Sequence, residues 1–167
     1  MKTLGSRPIC NVWLIQEYQA SSAFGSGEHF VIEADESDSS FLHYKTAVAL
    51  ITNVDPDHLD HFGSLEAFHG EFVKFAQAAS DFVAISFDDE GARAVAERLT
   101  SKKVIGFGVS EAADVRLTGI NATGPRVSFA ISYSGQESEA TLKVPGEHNA
   151  INAAGAVAVL VGLGFDF

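Results

Sequence analysis

The sequence predicts an α/β protein: a mostly parallel, doubly wound sheet followed by a small antiparallel β-sheet. Four short apolar runs, Phe30–Ile32, Val48–Thr52, Phe82–Phe87 and Val104–Phe107, are continuous rather than alternating, the pattern of strands covered on both faces. Helical patterns lie between the second and third runs and between the third and fourth, and that order implies right-handed crossovers. After Phe107 the segments become alternating and β-rich, split by glycine-containing turns, as in an antiparallel sheet with one solvated face.

Residues 1–28 receive no assignment. Trp13, Leu14 and Ile15 are apolar, but Gly5, Pro8, Gly25 and Gly27 break any long element, so this stretch is set apart as a partial N-terminal segment. Residues 29–167 form the main unit. Its first helix takes Ser64 as N-cap and carries Leu65, Phe68, Phe72, Phe75, Ala76 and Ala79 along one face. A second helix spans Asp88 to Thr100 through Ala92, Val95, Ala96 and Leu99. The antiparallel strands are Val115–Thr118, Val127–Ile131 and Ala140–Val144, and an alanine-rich helix, His148 to Val161, follows Pro145-Gly146.

The chain has 167 residues, 46% hydrophobic and 20% charged, which is the composition of a soluble globular domain rather than a disordered tail. Its 22 acidic and 11 basic side chains give a net charge of −11, which excludes nucleic acid and anionic membrane surfaces as partners of the whole chain. A phosphate ligand must therefore be held locally, by a metal or by backbone amides. The lone Cys10 excludes an internal disulfide and a thiolate metal cage, and fits a reducing, cytoplasmic setting. The longest apolar stretch, Ala153 to Phe165, is shorter than the roughly 20 residues a spanning helix needs, and no signal peptide is evident.

Chemistry concentrates at the ends of two apolar runs. Glu33-Ala34-Asp35-Glu36-Ser37-Asp38 follows Phe30–Ile32, and Asp55-Pro56-Asp57-His58-Leu59-Asp60-His61 follows Val48–Thr52 by three residues. If the two strands are parallel neighbours, both clusters reach the carboxyl edge of one sheet, where open α/β folds bind ligands. Together they would hold magnesium against a nucleotide phosphate. One such cluster alone reads more simply as solvated charge, with Ser37 or Asp38 capping a short helix. Magnesium takes six oxygen ligands, several of them water or phosphate, so His58 reads equally as a general base or as part of a manganese or zinc site. His61 and His69 read as surface residues.

Other motifs are weaker. Gly25-Ser26-Gly27 begins like a dinucleotide fingerprint but precedes a strand, and a phosphate loop of the form G-x-x-x-x-G-K-[ST] occurs nowhere in the 167 residues. His148-Asn149-Ala150-Ile151-Asn152 puts Asn149 and Asn152 three apart on one helical face. An asparagine amide can pair with adenine, yet on spacing alone a capped helix of small residues explains the pattern as well.

EADESD at 33–38, TNVDPDHLDHF at 52–62 and VPGEHNAINAA at 144–154 together resemble the Mur ligase family. The likeness runs from about Ser22 to Gly164, and the form of the first motif points to the branch that joins L-alanine to UDP-N-acetylmuramate, with the murein tripeptide recycling branch next. The resemblance implies the central ATPase domain of a three-domain, ATP-dependent carboxylate–amine ligase of peptidoglycan precursor synthesis. ATP would phosphorylate the lactyl carboxylate and the amine of L-alanine would expel the phosphate. It also implies Mg2+ held by Glu33 and His58, and ATP contacted through His148, Asn149 and Asn152, with Asn152 on the base.

The resemblance further implies that the domain is incomplete, lacking its first strand and phosphate loop, and that the UDP-binding and amino-acid-binding domains are absent. An unpaired sheet edge then invites self-association. Several relatives carry a carbamylated lysine in the helix after DHLDH; here the region reads Phe68-His69-Gly70-Glu71-Phe72, with Lys74 out of register. Two functions follow: part of an alanine-adding ligase, or, for this chain alone, an inactive α/β module with residual nucleotide or metal affinity.

Overall fold

The computed structural model describes residues 9–15, 20–23, 27–37, 39–56 and 62–167. Two sheets form. The first has three strands, β1 (Ile9–Ile15), β2 (Ala20–Ala23) and β3 (Phe30–Ile32), in the order β2-β1-β3. β1 pairs antiparallel with β2 and parallel with β3, placing Ile9 opposite Phe30 and Asn11 opposite Ile32. The stretch left unassigned from sequence therefore contains two strands, Ile9–Ile15 and Ala20–Ala23.

The second sheet has six strands: β4 (Val48–Ile51), β5 (Phe82–Ser86), β6 (Val104–Gly108), β7 (Val115–Asn121), β8 (Val127–Tyr133) and β9 (Gln136–Leu142), bonded in chain order. β4 through β7 run parallel, and β7, β8 and β9 are antiparallel. The antiparallel strands expected from sequence thus grow from the parallel sheet through the β6–β7 pair. The last of them starts earlier than expected, at Gln136, because Ser134 and Gly135, both at positive φ, form the tight turn from β8.

The condition placed on the two acidic clusters is not met: Phe30–Ile32 and Val48–Thr52 are not bonded neighbours, since β3 bonds to β1, and β4 bonds to β5 at the edge of the other sheet. Burial shows the consequence. All five residues of β5 are buried, whereas Phe30 is 58% and Val31 50% exposed. A continuous apolar run marks a strand, but it does not say which strand lies beside it.

Helices cover both faces of the six-stranded sheet. α1 (Leu65–Ala78) and α2 (Glu90–Glu97) pack on one face with Ala49, Ile51, Val83 and Ile85. Ser64 caps α1, its hydroxyl accepting from the Ala67 N–H at 3.1 Å. Phe68, Val73, Phe75 and Ala76 turn inward, and the Phe68 ring stands 5.1 Å from those of Phe62 and Phe72. α2 is shorter than the sequence pattern suggests because Asp89, not Asp88, caps it and Arg98 closes it.

α3 (Glu147–Gly162) packs on the opposite face with Ala150, Ala154 and Ala158 against Phe82, Ala84, Ile105, Phe107 and Leu117. Its glycines set the spacing. A Cβ on Gly155 would lie 2.9 Å from the Phe107 ring, and one on Gly162 would lie 2.2 Å from the Phe82 ring. Phe107 is fully buried, worth about 1.5–3 kcal/mol relative to exposure. Among the described residues no helix is long and apolar enough to cross a membrane.

Candidate functional site

The direction of α3 decides which residues meet. Gly162 sits over Phe82 and Ile105, near the starts of β5 and β6, while Gly155 sits over Phe107 and Leu50, near the ends of β6 and β4. The helix therefore runs against the strands. Its first turns lie beyond Gly155 by about 1.5 Å per residue, which carries Glu147 to Asn152 to the carboxyl edge of the parallel strands. There the helix presents its unsatisfied N–H groups and the positive end of its dipole.

Gly146, at φ 99°, leads into the helix, and the His148 ring occupies the space a Cβ there would need, 2.5 Å away. Asn149 donates from Nδ2 to the Pro145 carbonyl at 2.6 Å, with His148 Nε2 3.1 Å from the same nitrogen. Its amide thus holds the Pro145-Gly146 turn closed. Asn152, almost one turn further on, is exposed.

The acidic segment after β3 has a defined fold. Glu33 is exposed, Asp35 accepts from the Ser37 N–H at 2.8 Å, and Ser39, at φ 62°, donates to the Glu36 carbonyl. A 3-10 turn, Ser40–His43, then drives Phe41 into the core, its ring 5.5 Å from Phe72 and 5.1 Å from Phe75. The residue at the start of this turn is Ser39, not Ser37. Asp38 lies outside the described residues.

Of the second cluster, Asp55 is described and exposed, within 3.4 Å of Asn53 Nδ2. Asp57, His58, Asp60 and His61 lie outside the described residues, so the expected pairing of Glu33 with His58 falls beyond them. Although β3 and β4 are not bonded neighbours, Ala34 and Val54 both pack into the apolar cluster under α1. The two loops share a core without sharing a ladder. No group of three or more His, Cys, Asp or Glu side chains among the described residues is set to hold a metal. The exposed oxygens of Glu33 and Asp55 are hard donors that suit Mg2+, an ion that fills most of its shell with phosphate and water.

Two residues escaped the sequence analysis. Asp88 and Asp89 leave the end of β5 in opposite directions. Asp88 accepts from the N–H groups of Val109 at 2.8 Å and Ser110 at 2.9 Å, after β6. Asp89 Oδ1 accepts from Val54 N–H at 2.9 Å, after β4, and from Ala92 N–H at 2.7 Å. The doublet was legible as a helix cap, but nothing local shows that it reaches loops 35 and 21 residues away in sequence.

His69 is half-buried beside Phe68, and Lys74 pairs with Glu71 on exposed α1 surface at 2.7 Å. A cleft of about 380 Å³ lies between α2 and β6, lined by Phe87, Arg93, Glu97, Val104 and Ser110 among others. It contains none of the candidate site residues read from sequence.

Residues 12–160 match the family model described as the Mur ligase middle domain. The UDP-N-acetylmuramate–L-alanine ligase of Clavibacter sepedonicus is 62% identical over 146 residues, covering 87% of this chain and 30% of that protein. The chain thus spans about a third of the length of the curated relatives it matches. Among solved structures, the UDP-N-acetylmuramate–alanine ligase of Thermotoga maritima superposes with a TM-score of 0.78 at 25% identity, over 95% of this chain and 36% of that one. The UDP-N-acetylmuramate:L-alanyl-gamma-D-glutamyl-meso-diaminopimelate ligase of Neisseria meningitides shares the fold, with a TM-score of 0.79 at 22% identity, over 95% of this chain and 54% of that one.

Proposed function

Because the chain belongs to the Mur ligase middle-domain family, we propose that it is the incomplete ATP-handling domain of a cytoplasmic ligase that joins L-alanine to UDP-N-acetylmuramate in peptidoglycan precursor synthesis. The observation that carries this reading is the 62% identity to a ligase of that name across 146 residues. The arrangement of the carboxyl edge supports it, since the start of α3 and the loops after β3 and β4 are the parts an ATP site on such a sheet uses.

In this reading Asn152 contacts adenine, and Asn149 keeps the turn before α3 in shape, with His148 beside it. Glu33 and His58 hold Mg2+, which supplies charge neutralisation for the ATP phosphates. The chain's own contribution would be positioning, with the start of α3 holding the base and the acidic loops the metal and phosphates, since positioning and charge neutralisation carry most of a phosphoryl transfer. No phosphate loop occurs in the 167 residues, and among the described residues β4 is an edge strand of its sheet. Left uncovered, that edge favours pairing with a second copy.

A chimera tests the assignment. Residues of this chain replace the matching third of the Clavibacter sepedonicus ligase, and phosphate release is followed with ATP, UDP-N-acetylmuramate and L-alanine. Release that requires both substrates is the expected result, and a folded chimera without it would overturn the assignment. The second reading, an inactive module, concerns the isolated chain and is favoured by the absence of a phosphate loop. Turnover by the 167 residues alone would reject it.

A further inference from the structure

Asp89 does more than cap a helix. An N-cap needs one acceptor for the first turn, and Ala92 N–H supplies that bond. The same oxygen also takes the Val54 N–H, which belongs to the loop after the neighbouring strand. Behind this bond the backbones touch: a Cβ on Gly91 would lie 2.2 Å from the Val54 carbonyl oxygen. Val54 itself is buried, its side chain in the cluster beneath α1. Loop 52–56 is therefore held at Val54 by its N–H and its apolar side chain, with its carbonyl in close approach to Gly91.

Asp88 repeats the device on the other side, gripping Val109 and Ser110 after β6. Gly108, at φ 138°, leaves room for that carboxylate, since a Cβ there would fall 2.3 Å from it. From the end of one buried strand, two consecutive carboxylates thus set the height of both flanking loops.

We propose that Asp89 is a positioning residue of the rim, tethering loop 52–56 so that the exposed Asp55 carboxylate stands at a fixed height on the carboxyl edge. This rests on the rim being the nucleotide and metal site. The bond pattern makes a specific demand: an acceptor at the reach of Oδ1, with no need for charge. Asp89→Asn keeps that acceptor. Asp89→Ser caps Ala92 equally well but is too short to reach Val54 as well.

The test uses the 167-residue chain and three variants, reading amide hydrogen exchange at Val54 and line broadening at Asn53 and Asp55 by Mn2+ alone. Exchange at Val54 should accelerate at least about 10-fold in Asp89→Ser and stay near wild type in Asp89→Asn. Gly91→Ala, which pushes the Val54 carbonyl away without touching the carboxylate, should behave like Asp89→Ser. Broadening by Mn2+ should need about 10-fold more metal in Asp89→Ser than in Asp89→Asn. A merely capping role moves none of these, since Asp, Asn and Ser cap alike. Val54 protected equally in all variants would overturn the tether, and a clear Mn2+ response that is equal in Asp89→Ser and wild type would overturn its positioning role. If exchange follows the expected pattern while no variant responds to Mn2+, the tether stands and the metal reading of the rim is what fails.

Discussion

The two ends of the candidate site are built by different means. The amide end, His148 to Asn152, rides on a 16-residue helix whose small residues lock onto Phe82 and Phe107. The acidic end rides on loops, after a three-residue strand whose first two side chains are half or more exposed. A packed helix brings its residues into place as one rigid body, whereas a loop must be tied at individual points. Phe41, Ala34, Val54 and the Asp89 carboxylate are those ties.

The largest expected effect tests that contrast directly. Phe107→Ala opens a hole under α3 and should lower global stability by about 3–5 kcal/mol in urea unfolding, with exchange rising throughout α3 and the parallel strands. Phe41→Ala removes an equally buried ring from beneath the acidic loop. Its main effect should be local: exchange across residues 33–39 at least about 10-fold faster while the amides of α3 keep their protection. Identical, chain-wide loss of protection in both variants would show that the two ends form one cooperative unit, and the comparison would break.

A smaller effect separates two asparagines that spacing alone could not tell apart. Asn149→Ala loses the bond to the Pro145 carbonyl and should destabilise the chain by about 1 kcal/mol. Asn152→Ala should leave stability unchanged, because the side chain faces solvent. In the active chimera, however, Asn152→Ala should raise KM for ATP about 10-fold, equivalent to about 1.4 kcal/mol. If Asn149→Ala weakens ATP while Asn152→Ala does not, the assignment of the base contact is reversed.

How far the sequence reached follows the same division. Strands β4 to β6, the Ser64 cap and the alanine-rich helix were legible because each rests on a local pattern: an apolar run, a cap three residues from its partner N–H, or a run of small residues. The carboxyl-edge position of Asn149 and Asn152 was legible only through family resemblance, since helix direction is a tertiary property. Pairing of β3 with β1 and the reach of Asp89 to Val54 were not legible. Both join segments far apart in sequence, and neither leaves a mark in the spacing of either partner.

The smallest expected effect concerns the rigid part of the acidic end. Lys74 occupies α1, the helix after the DHLDH motif, where the resemblance implies a carbamylated lysine in several relatives. Its Nζ lies 2.7 Å from Glu71 three residues back, with the lysine side chain 67% exposed. Pairs of this kind contribute about 0–0.5 kcal/mol, because solvent screens the charges and two long side chains lose freedom to meet. A carbamylated lysine that held metal would need burial at the rim, and this one projects from a helix whose inward face is taken by Phe68, Val73, Phe75 and Ala76. Lys74→Met should therefore change unfolding free energy by less than about 0.5 kcal/mol, and the chimera carrying it should keep its turnover and show no response to added bicarbonate. A loss of turnover that bicarbonate modulates in the parent would instead place Lys74 in the site and make the acidic end, like the amide end, one that depends on a helix.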